Sequence, residues 1–189
     1  GEGFARTTMT SFRAIPSFWN IDIYGEYTAK FNNDIKKNTF NGDESIVGQG
    51  FYGNLNFYLG PLSLLGEYKY YDNIAFTSQD GTIFYNTPPS LRQEYTYVFP
   101  NRHPFPLNQN NEKEFQFSAG YNATDQTYLN AAVTLTQTLD MDSYYKRVIR
   151  DSSDVETQLK ELYLQAQQDW SYDFTTIAAF AYNEENVTK

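Results

Sequence analysis

The chain has 189 residues, no cysteine and a single histidine, His103, which excludes a disulfide framework, a thiolate metal site and a cysteine nucleophile and leaves little for a histidine-based dyad. Fourteen basic against twenty-three acidic residues give a formal charge of -9, whereas nucleic acid demands a cationic face. No apolar run approaches the roughly 20 residues of a membrane helix.

In chain order, residues 3–13 alternate poorly and offer only a candidate strand. Residues 17–32 alternate almost strictly. Trp19, Ile21, Ile23, Gly25, Tyr27, Ala29 and Phe31 fall on one face, and Asn20, Asp22, Glu26, Thr28 and Lys30 on the other. A two-residue period predicts a strand. The pattern returns over 50–59, where Phe51, Gly53, Leu55, Phe57 and Leu59 share a face. After the turn signal Gly60-Pro61 it returns over 62–71, with Leu62, Leu64, Gly66, Tyr68 and Tyr70 against Ser63, Glu67, Lys69 and Tyr71. A second hairpin pairs Phe115, Phe117, Ala119 and Tyr121 with Leu129, Ala131, Val133 and Leu135 about a turn at 123–126; Glu114 and Gln116 alternate against them. Residues 155–170 are ambiguous. Val155, Leu159, Leu162 and Ala166 have helical spacing, but Glu161, Tyr163, Gln165, Gln167 and Asp169 alternate against Leu162, Leu164, Ala166 and Trp170, which predicts a strand. Its partner carries Phe174, Thr176, Ala178, Phe180 and Tyr182 beyond a turn near 171–173.

Short connections at 60–61, 123–126 and 171–173 take turns with long polar ones at 32–48, 72–112 and 140–158. An antiparallel transmembrane β-barrel sorts its loops in this way, with short periplasmic turns and long extracellular loops. Its alternating strands also reconcile a mean hydropathy of -0.63 with 17 Tyr and 15 Phe. The fold expected is therefore all-β, a portion of a larger barrel with seven or eight strands here and residues 1–189 as a single unit. Trp19, Phe57, Tyr121 and Trp170 near the short turns, and Phe31, Phe51, Tyr70, Phe115 and Tyr182 near the long loops, are the expected aromatic girdles. Asp22, Glu26, Lys30, Glu67, Lys69, Glu114 and Asp169 are expected to face a polar lumen. No cofactor or metal is expected. Outer-membrane lipid is the expected partner, with other envelope proteins beside it.

Several motifs carry less. Gly48-Gln49-Gly50-Phe51-Tyr52-Gly53 spells a dinucleotide fingerprint, but it opens a strand with no helix to follow, so room beside a tyrosine or strand curvature explains it better. Asp140-Met141-Asp142 and Asn41-Gly42-Asp43-Glu44 read as solvated loop charge. Glu184 and Glu185 point to opposite faces and cannot cooperate as a glycosidase pair. Tyr52, Tyr58, Tyr71 and Tyr163 would pack the barrel interior, with a sugar-stacking track as the alternative. In 72–112, Asp80-Gly81 signals a hairpin between 74–76 and 83–85. Five of the seven prolines follow, with Arg92, Arg102 and His103 as local positive character. This long connection is expected either to fold inward or to cap the barrel.

The string Pro88-Pro89-Ser90-Leu91-Arg92-x-Glu94-x-Thr96-Tyr97, with Asn101-Arg102-His103-Pro104, Leu107-Asn108, Glu112-Lys113-x-Phe115-Gln116 and upstream Gly66-Glu67-Tyr68-Lys69-Tyr70-Tyr71-Asp72, resembles uncharacterised outer-membrane β-barrel proteins of the Bacteroidota and their relatives. The resemblance covers about residues 60–120; histidine often stands in that family where this chain has Tyr95 and Phe105. It implies the barrel and the bacterial outer membrane, and no activity. The expected function is non-enzymatic: passive or gated solute passage, or a structural part of an envelope assembly. A soluble or surface-anchored β-sandwich carbohydrate-binding module is the alternative. An outer-membrane barrel hydrolase ranks third, because His103 between Arg102 and Pro104 is a poor general base.

Overall fold

The computed structural model describes residues 7–32, 46–74, 76–77, 84–86, 91, 111–139 and 156–188. These form β1 (Thr7–Ala14), β2 (Ser17–Phe18), β3 (Ile21–Asn32), β4 (Ile46–Leu59), β5 (Leu62–Asp72), β6 (Phe76–Thr77), β7 (Phe84–Asn86), β8 (Glu112–Thr124), β9 (Thr127–Thr138), β10 (Glu156–Ser171) and β11 (Phe174–Thr188). Nine strands make one antiparallel sheet in the order β1-β3-β4-β5-β8-β9-β10-β11, with β2 also on β3; β6 and β7 pair separately. The ambiguous stretch is thus a 16-residue strand.

The poorly alternating N-terminal stretch is an edge strand. β1 and β2 lie end to end along β3, and between them the Pro16 carbonyl accepts the Ile23 N–H at 3.0 Å. Proline donates nothing to a ladder and is tolerated at such an edge. Trp19 is not the first strand residue its alternation suggested. It sits in the two-residue turn before β3 at φ 54° and is 99% exposed. The next turn is Gly60-Pro61, with Gly60 at φ 56°. A positive φ first and proline second is a primed hairpin turn, whose twist matches that of the strands. Tight turns at 125–126 and 172–173 complete this end of the sheet.

Residues paired directly across an antiparallel ladder share a face, so the registers sort every side chain. One row runs Ile23, Leu55, Gly66, Phe117, Val133, Leu162, Tyr182. Another runs Arg13, Glu26, Tyr52, Lys69, Glu114, Thr136, Leu159, Glu185. The first face is apolar yet open: Leu55, Phe117 and Phe180 are 47%, 42% and 56% exposed. The second is polar and is covered toward the long connections, where Lys69, Glu112, Glu114, Thr136 and Glu161 are buried, while Asp22 and Tyr58 near the short turns are exposed; its small packed core is Ala132 and Tyr163 against Ala181. Side chains that shield one another on one face while the other stays open mark the inner and outer sides of a curled sheet. This is the geometry of part of a β-barrel, open between β1 and β11 among the described residues.

The apolar belt slants across the rows. The Tyr182 row reaches β3 at Ile23, but the apolar run of β3 continues eight residues further, to Phe31. At the opposite margin, the Ile21 row reaches β11 at Phe180, but the apolar run there continues six residues further, to Phe174. A drift of about 7 residues at ~3.3 Å each, over the six steps from β3 to β11 at ~4.8 Å each, is a slope of about 40°. Closing a sheet into a barrel requires strand tilt and stagger of this kind.

Candidate functional site: a charged cluster on the polar face

The covered end of the polar face lies beside the long connections. The Lys69 ammonium is 2.6 Å from Glu112 Oε1 and 2.6 Å from Glu114 Oε2, and all three side chains are fully buried. Strand geometry places them: Glu112 and Glu114 stand two apart on β8, hence on one face, and Lys69 is in register with Glu114. The Tyr71 ring lies under the ammonium at 5.3 Å. Thr136 Oγ1 donates to Glu114 Oε1 at 3.1 Å, and the Leu91 backbone N–H donates to Glu114 Oε2 at 3.1 Å. Buried charge is tolerated only when paired and hydrogen-bonded in this manner.

Leu91 belongs to the long connection, so at this point that segment lies inward, on the polar face. Its entry does the same. After β5 the chain bends at Asn73, whose φ of 51° asparagine tolerates better than most residues. The Asn73 N–H donates to Asn111 Oδ1 at 2.7 Å, and its carbonyl accepts Lys30 Nζ at 3.0 Å. Ile74 then packs down on β4. Two glycines make the approach possible: a Cβ at Gly48 would lie 2.2 Å from the Asn73 carbonyl oxygen, and one at Gly50 would lie 3.3 Å from Ile74 Cγ1. Close backbone approach therefore accounts for the Gly48–Gly50 part of the fingerprint-like motif.

Toward the short turns the carboxylates are held by neutral donors. Tyr24 OH donates to Glu26 at 2.5 Å and Tyr52 OH to Glu67 at 2.6 Å. Thr175 Oγ1 donates to Asp169 at 2.6 Å and Gln167 Nε2 at 3.2 Å, and Ser17 Oγ donates to Asp22. The polar face carries eight described acids: Asp22, Glu26, Glu67, Glu112, Glu114, Glu161, Asp169 and Glu185. Among the described residues it carries three bases, Arg13, Lys30 and Lys69. Among the described residues no group of three His, Cys, Asp or Glu is placed to hold a metal ion.

Residues 4–189 match a family described as a family of unknown function, DUF6029. The chain belongs to that family. No curated protein and no solved structure matches it.

In this DUF6029 chain the seven acids and lysines singled out by alternation, Asp22, Glu26, Lys30, Glu67, Lys69, Glu114 and Asp169, all lie on the polar face. They do not form one site. Lys69 and Glu114 join the buried cluster, Lys30 reaches the Asn73 bend, and the other four belong to the hydroxyl-held set. Of the aromatic set, Phe31, Phe51, Phe57, Tyr70, Phe115, Tyr121, Trp170 and Tyr182 take the apolar parity, while Trp19 is at the turn. Trp170 Nε1 donates to Thr176 Oγ1 at 3.0 Å on that face. Of the tyrosine track, Tyr52, Tyr71 and Tyr163 are tied into polar-face contacts with Glu67, Lys69 and Gln165 respectively. β6 and β7 pair as the Asp80-Gly81 signal implied, although the turn itself lies outside the described residues. Arg92, Arg102, His103, Asp140–Asp142 and Asn41–Glu44 also lie outside them. Sequence reasoning passed over Glu112, Asn73 and Asn111. The i, i+2 spacing of Glu112 and Glu114 facing Lys69 was the available signal for the first; the asparagines gave none.

Proposed function

We propose that this chain is a β-barrel portion of the bacterial outer membrane, with its apolar face against lipid and its polar face lining an aqueous interior. It serves passive or gated solute passage, or a structural role in an envelope assembly, and is non-enzymatic. The slanted apolar belt carries this reading. At a slope of about 40° the run from Ile21 to Phe31 covers about 25 Å of depth, the height of the apolar band on membrane barrels, whose strands tilt by ~35–45°. The polar outer-face residues near the long connections fit the same band. Lys160 and Glu184, paired at 3.2 Å, stand one step beyond Leu162 and Tyr182, at its upper margin. The resemblance to Bacteroidota envelope proteins supports the compartment.

A carbohydrate-binding β-sandwich is less well supported, because a second sheet would have to cover the apolar face. Among the described residues the only other sheet is the short β6–β7 pair. The test is a low-resolution density map of the purified chain. A detergent belt around the face bearing Leu55, Val133 and Phe180 is the expected result. A compact particle in detergent-free buffer with that face internal would overturn the proposal.

A further inference from the structure

We infer that the apolar face carries a site for an anionic lipid, its phosphate headgroup on Lys113 and Lys160 and its acyl chain running down β8–β10; this rests on the membrane-barrel reading above. A groove of about 310 Å³ opens on that face beside the long connections, and Tyr68, Phe115, Leu135, Lys113 and Lys160 line it. The registers explain the grouping. Tyr68, Phe115, Leu135 and Lys160 occupy one row, and Lys113 lies in the next row out with Gln137 and Gln158. Lys113 enters no ion pair among the described residues. Lys160 is paired with Glu184 at 3.2 Å, yet its side chain is half exposed. Asp72 and Glu184, acids on the same face, do not line the groove.

The slant of the belt puts the two lysines at one depth. Its upper margin drifts eight residues over the six strand steps from β3 to β11. The margin therefore falls about four residues beyond Phe117 on β8, at Lys113, and about one residue beyond Leu162 on β10, beside Lys160. At such a level a lysine buries its stem along apolar surface and offers its ammonium to the headgroups, where it binds phosphate as a point charge. A second hollow, of about 550 Å³, lies lower on the same face. Alanines make it: Ala119 pairs with Ala131, and Ala166 with Ala178. Ala119 is six residues from Lys113, ~20 Å along the strand and ~15 Å in depth at the tilt above, half the ~30 Å hydrocarbon core. A chain hung from the lysines thus ends in the alanine hollow.

Bimane on a single cysteine reports contact with brominated acyl chains, and the chain has no cysteine of its own. Val133 on β9 lies between the two hollows. Phe51 on β4 is at the same depth, each about three residues inside the margin, but away from them. The full chain in phosphatidylcholine liposomes is titrated with brominated phosphatidate and, separately, with brominated phosphatidylcholine. At Val133→Cys, phosphatidate should half-quench at a ~10-fold lower mole fraction, because a lysine near an anionic headgroup contributes ~5-fold and Lys160 is shared with Glu184. At Phe51→Cys the two lipids should quench alike. Lys113→Gln/Lys160→Gln should abolish the preference, and Lys113→Arg/Lys160→Arg should keep it. Equal quenching at Val133→Cys, the same preference at Phe51→Cys, or a preference that survives the glutamines or is lost with the arginines overturns the inference and leaves the barrel reading standing. Leu162→Cys, in the same row, repeats the test if Val133→Cys does not fold. No quenching by either lipid at either position removes the membrane reading, and the lipid site with it.

Discussion

Lys69 holds its ammonium between two glutamates in a region closed to solvent. Removing one partner from such a group leaves uncompensated buried charge, which costs ~3–5 kcal/mol. Lys69→Met is therefore expected to destabilise the chain by that amount in a denaturant titration. The triple variant Lys69→Met/Glu112→Gln/Glu114→Gln should recover most of the loss; equal losses would show that charge is not the reason. Gly48 makes a second residue-scale case. Its missing Cβ leaves room for the Asn73 carbonyl, whereas at Gly25 a Cβ meets nothing within 4 Å. Gly48→Ala should cost ~1–3 kcal/mol through forced displacement, and Gly25→Ala should stay within ~0.5 kcal/mol of wild type. Calorimetry in detergent distinguishes them. The role of Gly48 was not readable from the motif, because it depends on a residue 25 positions away.

At the scale of the element, alternation was sufficient wherever a strand has one apolar and one polar face. β3, β4, β5, β8 and β9 have this character, and their facing assignments follow directly from it; β11 shows less contrast, since Ile177, Ala179 and Ala181 lie on the polar face. β10 was harder. Leu159 lies on the polar face at 1% exposure, and Lys160 lies on the apolar face. Two consecutive residues with the unexpected character gave the segment its helical appearance. β1 was harder still: Thr8 and Thr10 share their face with Phe12, so the apolar parity has little contrast. If the belt meets lipid, depth decides the effect of charge. Val133→Lys, in mid-belt, should cost ~2–4 kcal/mol, while Lys160→Leu at the margin should change stability by less than ~1 kcal/mol. Equal effects at the two positions, measured by reversible unfolding from liposomes, would remove the depth gradient the reading needs.

For the whole molecule, the alternation of short and long connections was legible because turn residues announce themselves: Gly60-Pro61 is a primed turn, and tight turns follow at 125–126 and 172–173. That the long connection lies inward at Ile74 and Leu91 was not legible. Inward folding and capping were equally compatible with its prolines and aromatics, and what directs it inward is Asn73 at positive φ, the space above Gly48 and Gly50, and the Leu91 contact with Glu114. The slant of the belt was also hidden, since it emerges only when the register of every strand pair is known.

That slant is the quantity to measure. Nitroxides attached at Ile23, Phe31 and Tyr182 report depth in a bilayer through the ratio of their collisions with oxygen and with a water-soluble nickel chelate. Ile23 and Tyr182 share one row of the sheet, and Phe31 is eight residues away from it. With strands tilted by about 40°, Phe31 and Tyr182 should lie at the same depth, with Ile23 about 20 Å below them. Equal depths for Ile23 and Tyr182, with Phe31 far out in water, would contradict a tilted barrel wall.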